Sequence, residues 1–264
     1  MNKINLLTRP KMNVRLTIGL IFLVTLLGVN PAFAAGSSVK LESPRIDAGS
    51  EKSLQRGAKL FVNYCMACHS ANYQRYSRMA RDLGLSEDDV VEQLIFTTDS
   101  AGEPTKVGSL MENNMSADYG RQAFGVVPPN LALTARSRGV DWIYTYLKSF
   151  YLDPSRGGIG VNNTVYPGAA MPHVLWELQG WQKKVVVDDG KGHAEVKLEL
   201  MAPGTQSVSE YDQTVTDITN FLAYMSDPIK STRHRIGIFV LLFLFALLGI
   251  AYMLKKEYWR DVVH

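Results

Sequence analysis

The sequence predicts a mainly α-helical domain built around one small-molecule-sized pocket, followed by a single membrane-crossing helix near the C-terminus. Three observations predict it. Apolar residues recur at helical spacing in several segments separated by long Gly- and Pro-rich stretches. The pentapeptide Cys65-Met66-Ala67-Cys68-His69 holds both cysteines of the 264-residue chain. Residues Ile236 to Leu254 form a run of nineteen residues without a charge, enough to cross a hydrocarbon core of about 30 Å.

Taken in order, residues 1–34 read as a secretory signal peptide. Lys3, Arg9, Lys11 and Arg15 make a basic start, Leu16 to Val29 is apolar, and Ala32-Phe33-Ala34 offers a small-residue cleavage site before Ala35. Residues 35–232 then form one exported domain. Its opening stretch, Ala35 to Ser50, is polar and extended. A helix runs from Ser53 to Tyr64 with Leu54, Ala58 and Phe61 on one face, and Gly57 within it marks a close approach of another element. Ser86-Glu87-Asp88-Asp89 resembles a capping box opening a helix through Val90, Val91, Leu94 and Ile95. Residues 98–128 are rich in Gly, Asn, Asp and Ser and read as loop. Asp141 is expected to cap a helix through Trp142, Ile143, Tyr146, Leu147 and Phe150 that ends at Asp153-Pro154. Another loop covers 154–173. Val185 to Val187 and Val196, Leu198 and Leu200, around Asp188-Asp189-Gly190-Lys191, read as a β-hairpin. Tyr211, Val215, Ile218, Leu222 and Met225 lie at helical spacing, and Asp227-Pro228 breaks that helix before the membrane segment, residues 233–254, and a tail, 255–264.

The pentapeptide is a C-x-x-C-H haem c attachment site. Cys65 and Cys68 can each add to a haem vinyl group, and His69 is then placed as the proximal iron ligand. With no other cysteine, a disulfide framework and a four-thiolate metal site are excluded if both sulfurs are so used. A thioredoxin-like thiol pair needs a βαβ context that the sequence lacks. Around such a site, helices and loops in this order fit the class I cytochrome c fold, with long loops and a small β-hairpin insertion.

The other face of the iron needs a ligand. Met111, Met115, Met171, Met201 and Met225 are candidates. Met171 is favoured because Tyr166-Pro167-Gly168-Ala169-Ala170-Met171-Pro172-His173 combines small residues, which let a loop lie near a porphyrin, with prolines that stiffen it. Met115 is the alternative, and His173 reads as a surface group or a support for the ligand. Methionine–histidine ligation raises the potential and fills the coordination sphere, favouring electron transfer. The Pro129 carbonyl, in Pro128-Pro129-Asn130-Leu131, can accept the Nδ1–H of His69, or the prolines can simply form a rigid turn. Arg136 and Arg138 suit a propionate clamp or a solvated helix end.

Charge points the same way. The chain carries +3 overall, but residues 35–232 hold 19 Lys and Arg against 23 Asp and Glu, a net charge of −4. This disfavours nucleic acid and favours a basic partner. Nine acids against one base between Asp82 and Asp118 form a candidate docking field for a basic redox protein. Basic residues flank the apolar run on both sides, so orientation follows instead from the export signal: haem domain in the periplasm, tail in the cytoplasm.

Cys65–His69, Ser70-Ala71-Asn72-Tyr73, Val127–Leu131, Ala135-Arg136-Ser137-Arg138, Met171–Glu177 and Arg233-His234-Arg235-Ile236-Gly237 together resemble bacterial cytochrome c1. The resemblance covers essentially the whole mature chain. It implies one covalent haem c ligated by His69 and Met171, with Arg138 near a propionate. It also implies electron transfer from a Rieske iron–sulfur protein, through the haem, to a cytochrome c acceptor. The setting would be a dimeric bc1 complex with cytochrome b in the bacterial inner membrane. The chain is then an electron carrier, not a catalyst by itself, and no quinol site is identified in it. Asn130 stands where the family often has Asp, and the loop between Asp99 and Val127 is shorter than in some relatives. The rival readings are a c-type haem enzyme of the peroxidase kind and a membrane-tethered haem sensor, both with an open sixth site.

Overall fold

The computed structural model describes residues 39–188 and 194–261. The expected signal peptide, the tip of the hairpin and the last three residues lie outside the described residues.

The domain is organised on two crossed helices that are distant in sequence. Helix α1 (Glu51–Leu60) carries an acid in its first turn and Lys59 in its last, matching the helix dipole. It runs directly into one π-helical stretch, Phe61–Cys65. Its buried face is Ser53, Leu54, Gly57 and Ala58, followed by Phe61. Further along come β1 (Ala71–Arg75), α2 (Tyr76–Asp82), α3 (Glu87–Leu94), β2 (Leu110–Met111), α4 (Ala117–Phe124), α5 (Thr134–Arg138) and α6 (Val140–Lys148). After these lie β3 (Phe150–Leu152), β4 (Val161–Asn163), α7 (Trp176–Gln179), β5 (Gly180–Asp188), β6 (Ala194–Pro203), α8 (Val208–Ser226) and α9 (Lys230–Tyr258). The strands pair antiparallel as β1–β2, β3–β4 and β5–β6.

Helix α8 starts at a reciprocal capping box, with Ser207 and Glu210 satisfying each other's backbone N–H groups. Its stripe of Tyr211, Val215, Ile218, Leu222 and Met225 is buried as the spacing predicts. At its crossing with α1, a side chain on Gly57 would run into the Asp217 carbonyl and Phe221, so glycine is there to let the helices touch. The Phe61 and Phe221 rings meet at 5.6 Å. The buried Asp217 carboxylate accepts from Arg56 Nε at 2.6 Å and from Ser53 Oγ at 2.6 Å. Helix α6 docks on α8 through the Tyr211 hydroxyl, which donates to the Leu147 carbonyl at 2.8 Å, and through Lys148, paired with Asp212 at 2.8 Å.

Several expectations are corrected. The stretch 98–128 is not all loop: Ser116 accepts the Tyr119 N–H and starts α4, which ends at Gly125 in a left-handed conformation (φ +76°). Helix α2 is an addition to the expected elements. Gly139, not Asp141, precedes α6, and the Asp141 carboxylate accepts instead from Ser43. Helix α6 stops at Lys148, before Asp153, because the chain turns into β3 and pairs with β4. The β5–β6 hairpin is longer than expected, beginning at Gly180.

After the break at Asp227, α9 spans 29 residues. Thr232–Tyr258 has a mean hydropathy of 2.7 over its most apolar stretch, and none of that stretch is buried within the protein. An all-round apolar helix exposed on every side is long enough to cross a bilayer and fits a membrane anchor.

Candidate haem site

The C-x-x-C-H segment closes the first helix. The π-helical stretch delivers Cys65, and the chain then turns back so that the amides of Cys68 and His69 both donate to the Cys65 carbonyl, at 3.1 and 2.9 Å. Both cysteines are unbridged. Burial, with a smaller effect of Cys68, pushes the Cys65 thiol up to about 12, which makes it a poor thiolate at physiological pH and argues against a redox-active thiol pair.

His69 is buried, and its Nδ1 lies 2.7 Å from the Pro129 carbonyl oxygen. An oxygen there fixes the tautomer: Nδ1 donates and Nε2 keeps its lone pair. Burial lowers the His69 pKa, with the Pro129 bond opposing it, so the neutral, metal-binding form is favoured. The Leu131 amide donates to the Ser70 carbonyl at 2.9 Å, and the Asn130 side chain accepts the Ala132 amide at 2.9 Å. Pro128–Leu131 is thus strapped against the histidine, and of the two readings of the paired prolines the acceptor is the one found. A buried imidazole held at one nitrogen, beside two free thiols in thioether spacing, is a donor set that fits a haem c.

Met171 is half-buried against the core. The Tyr146 hydroxyl of α6 donates to its Sδ at 3.6 Å. The preceding loop is held by side chains reaching its backbone. Asn163, fully buried, donates to the Tyr146 carbonyl at 2.8 Å and accepts the amides of Val165 and Tyr166 at 2.9 and 3.1 Å. Asn162 accepts the Gly168 amide at 2.8 Å, and Arg156 donates to the Gly168 and Ala169 carbonyls at 3.0 and 2.8 Å. Tyr146, Asn163, Asn162 and Arg156 hold Met171 and its loop, and sequence reasoning did not single them out for that role. The only hint lay in two adjacent asparagines before Tyr166-Pro167-Gly168, a turn-rich composition.

The alternative, Met115, lies elsewhere: it lines a cleft with Cys68, Asn113, Val127 and Pro128, on the proline segment that serves His69. Met111 and Met225 are core residues, and Met201 is exposed on β6. His173 is not a surface group. It is buried, stacked on Phe150 at 5.1 Å with Trp181 edge-on at 5.9 Å, and its Nε2 has no hydrogen-bond partner among the described residues. Burial lowers its pKa to about 4. Both α5 arginines are exposed. Arg138 lies over the Trp142 ring at 5.1 Å and near that of Tyr166 at 6.0 Å, so it bridges α6 and the methionine loop; Arg136 remains a solvent-facing cation.

Eight of the nine acids are exposed, Asp82 being part-buried, but several of them are engaged. Asp82 is engaged by Arg78 and Tyr224, Asp89 by Ser86, and Asp99 accepts backbone amides within its own loop. Glu87, Asp88, Asp89 and Glu92 are exposed on α3, with Glu103 and Glu112 exposed on the loops beyond it.

Comparison with known proteins gives consistent relatives. The Cytochrome C1 family matches residues 46–262. The chain is 48% identical over 240 residues to cytochrome c1 of Allochromatium vinosum, covering 90% of this chain and 96% of that one. It is 46% identical over 245 residues to a protein of Nitrosomonas europaea named ammonia monooxygenase gamma subunit, covering 93% and 98%. Identity to the mitochondrial cytochrome c1 heme protein of Saccharomyces cerevisiae is 25% over 228 residues, covering 80% and 67%.

Proposed function

The chain belongs to the cytochrome c1 family, and from that premise we propose how it works as the haem subunit of a bc1 complex in respiratory electron transfer. The observation that carries the reading is the 2.7 Å bond from His69 Nδ1 to the Pro129 carbonyl, made directly beside the two unbridged cysteines. Cys65 and Cys68 would hold one haem c through thioether bonds, and His69 and Met171 would ligate its iron. Arg138, and less directly Arg136, neutralise the propionates. When bound, the haem supplies a one-electron iron couple, and the chemistry is the cofactor's. The chain supplies the rest: a neutral imidazole of fixed tautomer, a thioether on a braced loop, and a buried surround that limits access of water and small ligands.

In this reading the chain accepts an electron from a Rieske iron–sulfur protein and gives it to a soluble or membrane-bound cytochrome c. The acceptor docks on the exposed acids of α3 and neighbouring loops. Cytochrome b packs beside α9, and the complex is dimeric. Residues 1–34 are removed on export, 35–232 stand in the periplasm, 233–254 anchor the domain in the inner membrane, and 255–264 face the cytoplasm. A filled sixth position sets this apart from a peroxidase or a haem sensor.

The test is purification of the full chain from its own membranes. Intact mass should show a chain lacking residues 1–34 with one porphyrin added, and cytochrome b and a Rieske protein should copurify. Free thiols and no porphyrin mass would end the proposal. Copurification with monooxygenase subunits instead would keep the haem site but move the chain to another assembly.

A further inference from the structure

The β5–β6 hairpin is fastened to the domain at its base and open along its outer edge. Gln182 of β5 donates to the Lys148 and Phe150 carbonyls at 2.9 and 3.0 Å, and the Lys184 ammonium lies over the Tyr151 ring at 5.8 Å. Among the described residues β6 pairs with β5 and with no other strand. Along β6, Val196, Lys197, Glu199 and Leu200 are exposed and Leu198 is half-buried. An edge strand of this length leaves a row of unpaired N–H and C=O groups, a template for one more strand. Trp181 pairs with Ala202 and Gln182 with Leu200, so Met201 is an extra residue, a bulge that ends the regular edge.

The segment Val196-Lys197-Leu198-Glu199-Leu200 is its own complement when it runs antiparallel to a second copy about Leu198. Lys197 then faces Glu199 of the second copy, Val196 faces Leu200, and Leu198 faces itself. Opposite charges directly across two strands stabilise the pair, and like charges destabilise it. Moving the register by one step that keeps the faces matched sets Lys197 on Lys197 in one direction and Glu199 on Glu199 in the other. A one-residue slip turns the apolar residues to the wrong face. Parallel in-register stacking sets like on like at both charged positions. The pattern therefore disfavours open-ended growth and admits a closed, self-complementary pair.

Resting on the reading of the complex as dimeric, we propose that β6 is an interface between two copies of this chain, whose hairpins join edge to edge into a four-stranded antiparallel ribbon across a twofold axis. Glu199, already in a half-exposed ion pair with Lys183 at 3.1 Å, then lies between two lysines. Val186 pairs with Val196 on the face that also carries Leu198 and Leu200, and the two apolar faces become one continuous stripe.

The experiment uses the full chain in its purified complex, with cysteines introduced into β6. Cys65 and Cys68 are the chain's two cysteines, and as thioethers they leave an introduced thiol no partner in its own chain. On mild oxidation Leu198→Cys should link two haem-stained chains into a band of doubled mass that reductant reverses. Val196→Cys alone should stay unlinked, because the two copies of that position lie about 13 Å apart at four strand residues, beyond disulfide reach. Val196→Cys combined with Leu200→Cys should link again. Equal linking of Leu198→Cys and Val196→Cys would show random collision and overturn the proposal. No linking of Leu198→Cys in a complex whose mass shows two copies would also overturn it and leave the dimeric reading standing. A complex holding one copy would sink both. Should the variants not assemble, hydrogen exchange in the unsubstituted complex decides: the outward amides of β6 should exchange as slowly as those bonded to β5, and fast exchange there would mean a free edge and end the proposal. Protected outward amides in an unlinked Leu198→Cys complex would assign the edge to a different protein strand and overturn the second copy as its occupant.

Discussion

The two sides of the haem site are built by opposite means. The histidine side is local: Cys65, Cys68 and His69 sit within one turn that closes a helix, and a single backbone carbonyl, Pro129, reaches in from sixty positions away. The methionine side is assembled from a distance, with Met171 held by a hydroxyl on α6 and its loop held by Asn163, Asn162 and Arg156. One side relies on adjacent residues and a main-chain acceptor, the other on buried side chains. Substitutions around the first should therefore matter little unless they remove a ligand or a thiol. Around the second, substitutions remote from the proposed iron site should loosen Met171 as its proposed ligand.

The hardest test of the local side is Cys65→Ser together with Cys68→Ser. Haem staining of the denatured chain should vanish completely, and a haem band that survived denaturation would show that attachment lies elsewhere. The matching test on the other side is Met171→Leu. Staining should be unchanged, the reduced protein should now bind carbon monoxide, and the potential should fall by on the order of 0.1 V, given that axial ligands span about 0.8 V. An unshifted potential would remove Met171 from the site.

What was legible in the sequence follows the same division. The segment C-x-x-C-H and the paired prolines could be read because each carries its chemistry in a few adjacent residues, and the same kind of reading singles out Met171 as the proposed second ligand. The apolar stripe of α8 and the all-round apolar run of α9 could be read because period and length decide them. Helix α4 was hidden because Ser116, Gly120 and Gly125 give it a loop-like composition, while its support comes from Gly120 packing against Pro128. Of the two readings of His173, the surface one fails although its polarity suggested it; its burial is made by Phe150 and Trp181, rings supplied by two different strands. The role of Asn163 could not be read at all. A buried amide that braces a turn looks, in sequence, like any other loop asparagine.

Smaller effects sharpen the contrast. Asn163→Ala leaves the Tyr146 carbonyl and the Val165 and Tyr166 amides without their partner. An unsatisfied buried polar group costs about 1–3 kcal/mol, so carbon monoxide should bind a fraction of the reduced protein while haem staining stays intact. Asn163→Asp keeps an acceptor for the two amides but turns the donor facing the Tyr146 carbonyl into a buried carboxylate oxygen, so its effect should equal or exceed that of alanine. Carbon monoxide titration of the three proteins checks the order.

The smallest effect belongs to Pro129→Ala. The group that His69 uses is the carbonyl oxygen, which alanine also has, so the substitution removes only the ring's restraint on the backbone. That restraint is worth about 0.4–1 kcal/mol, exerted mostly on the unfolded chain. Denaturation should shift by about that amount, and the potential and the methionine band should stay with the parent. A large change in potential would mean that the proline ring, not its carbonyl, sets the histidine. The histidine side would then depend on side-chain packing as much as the methionine side does, and the distinction between them would fail.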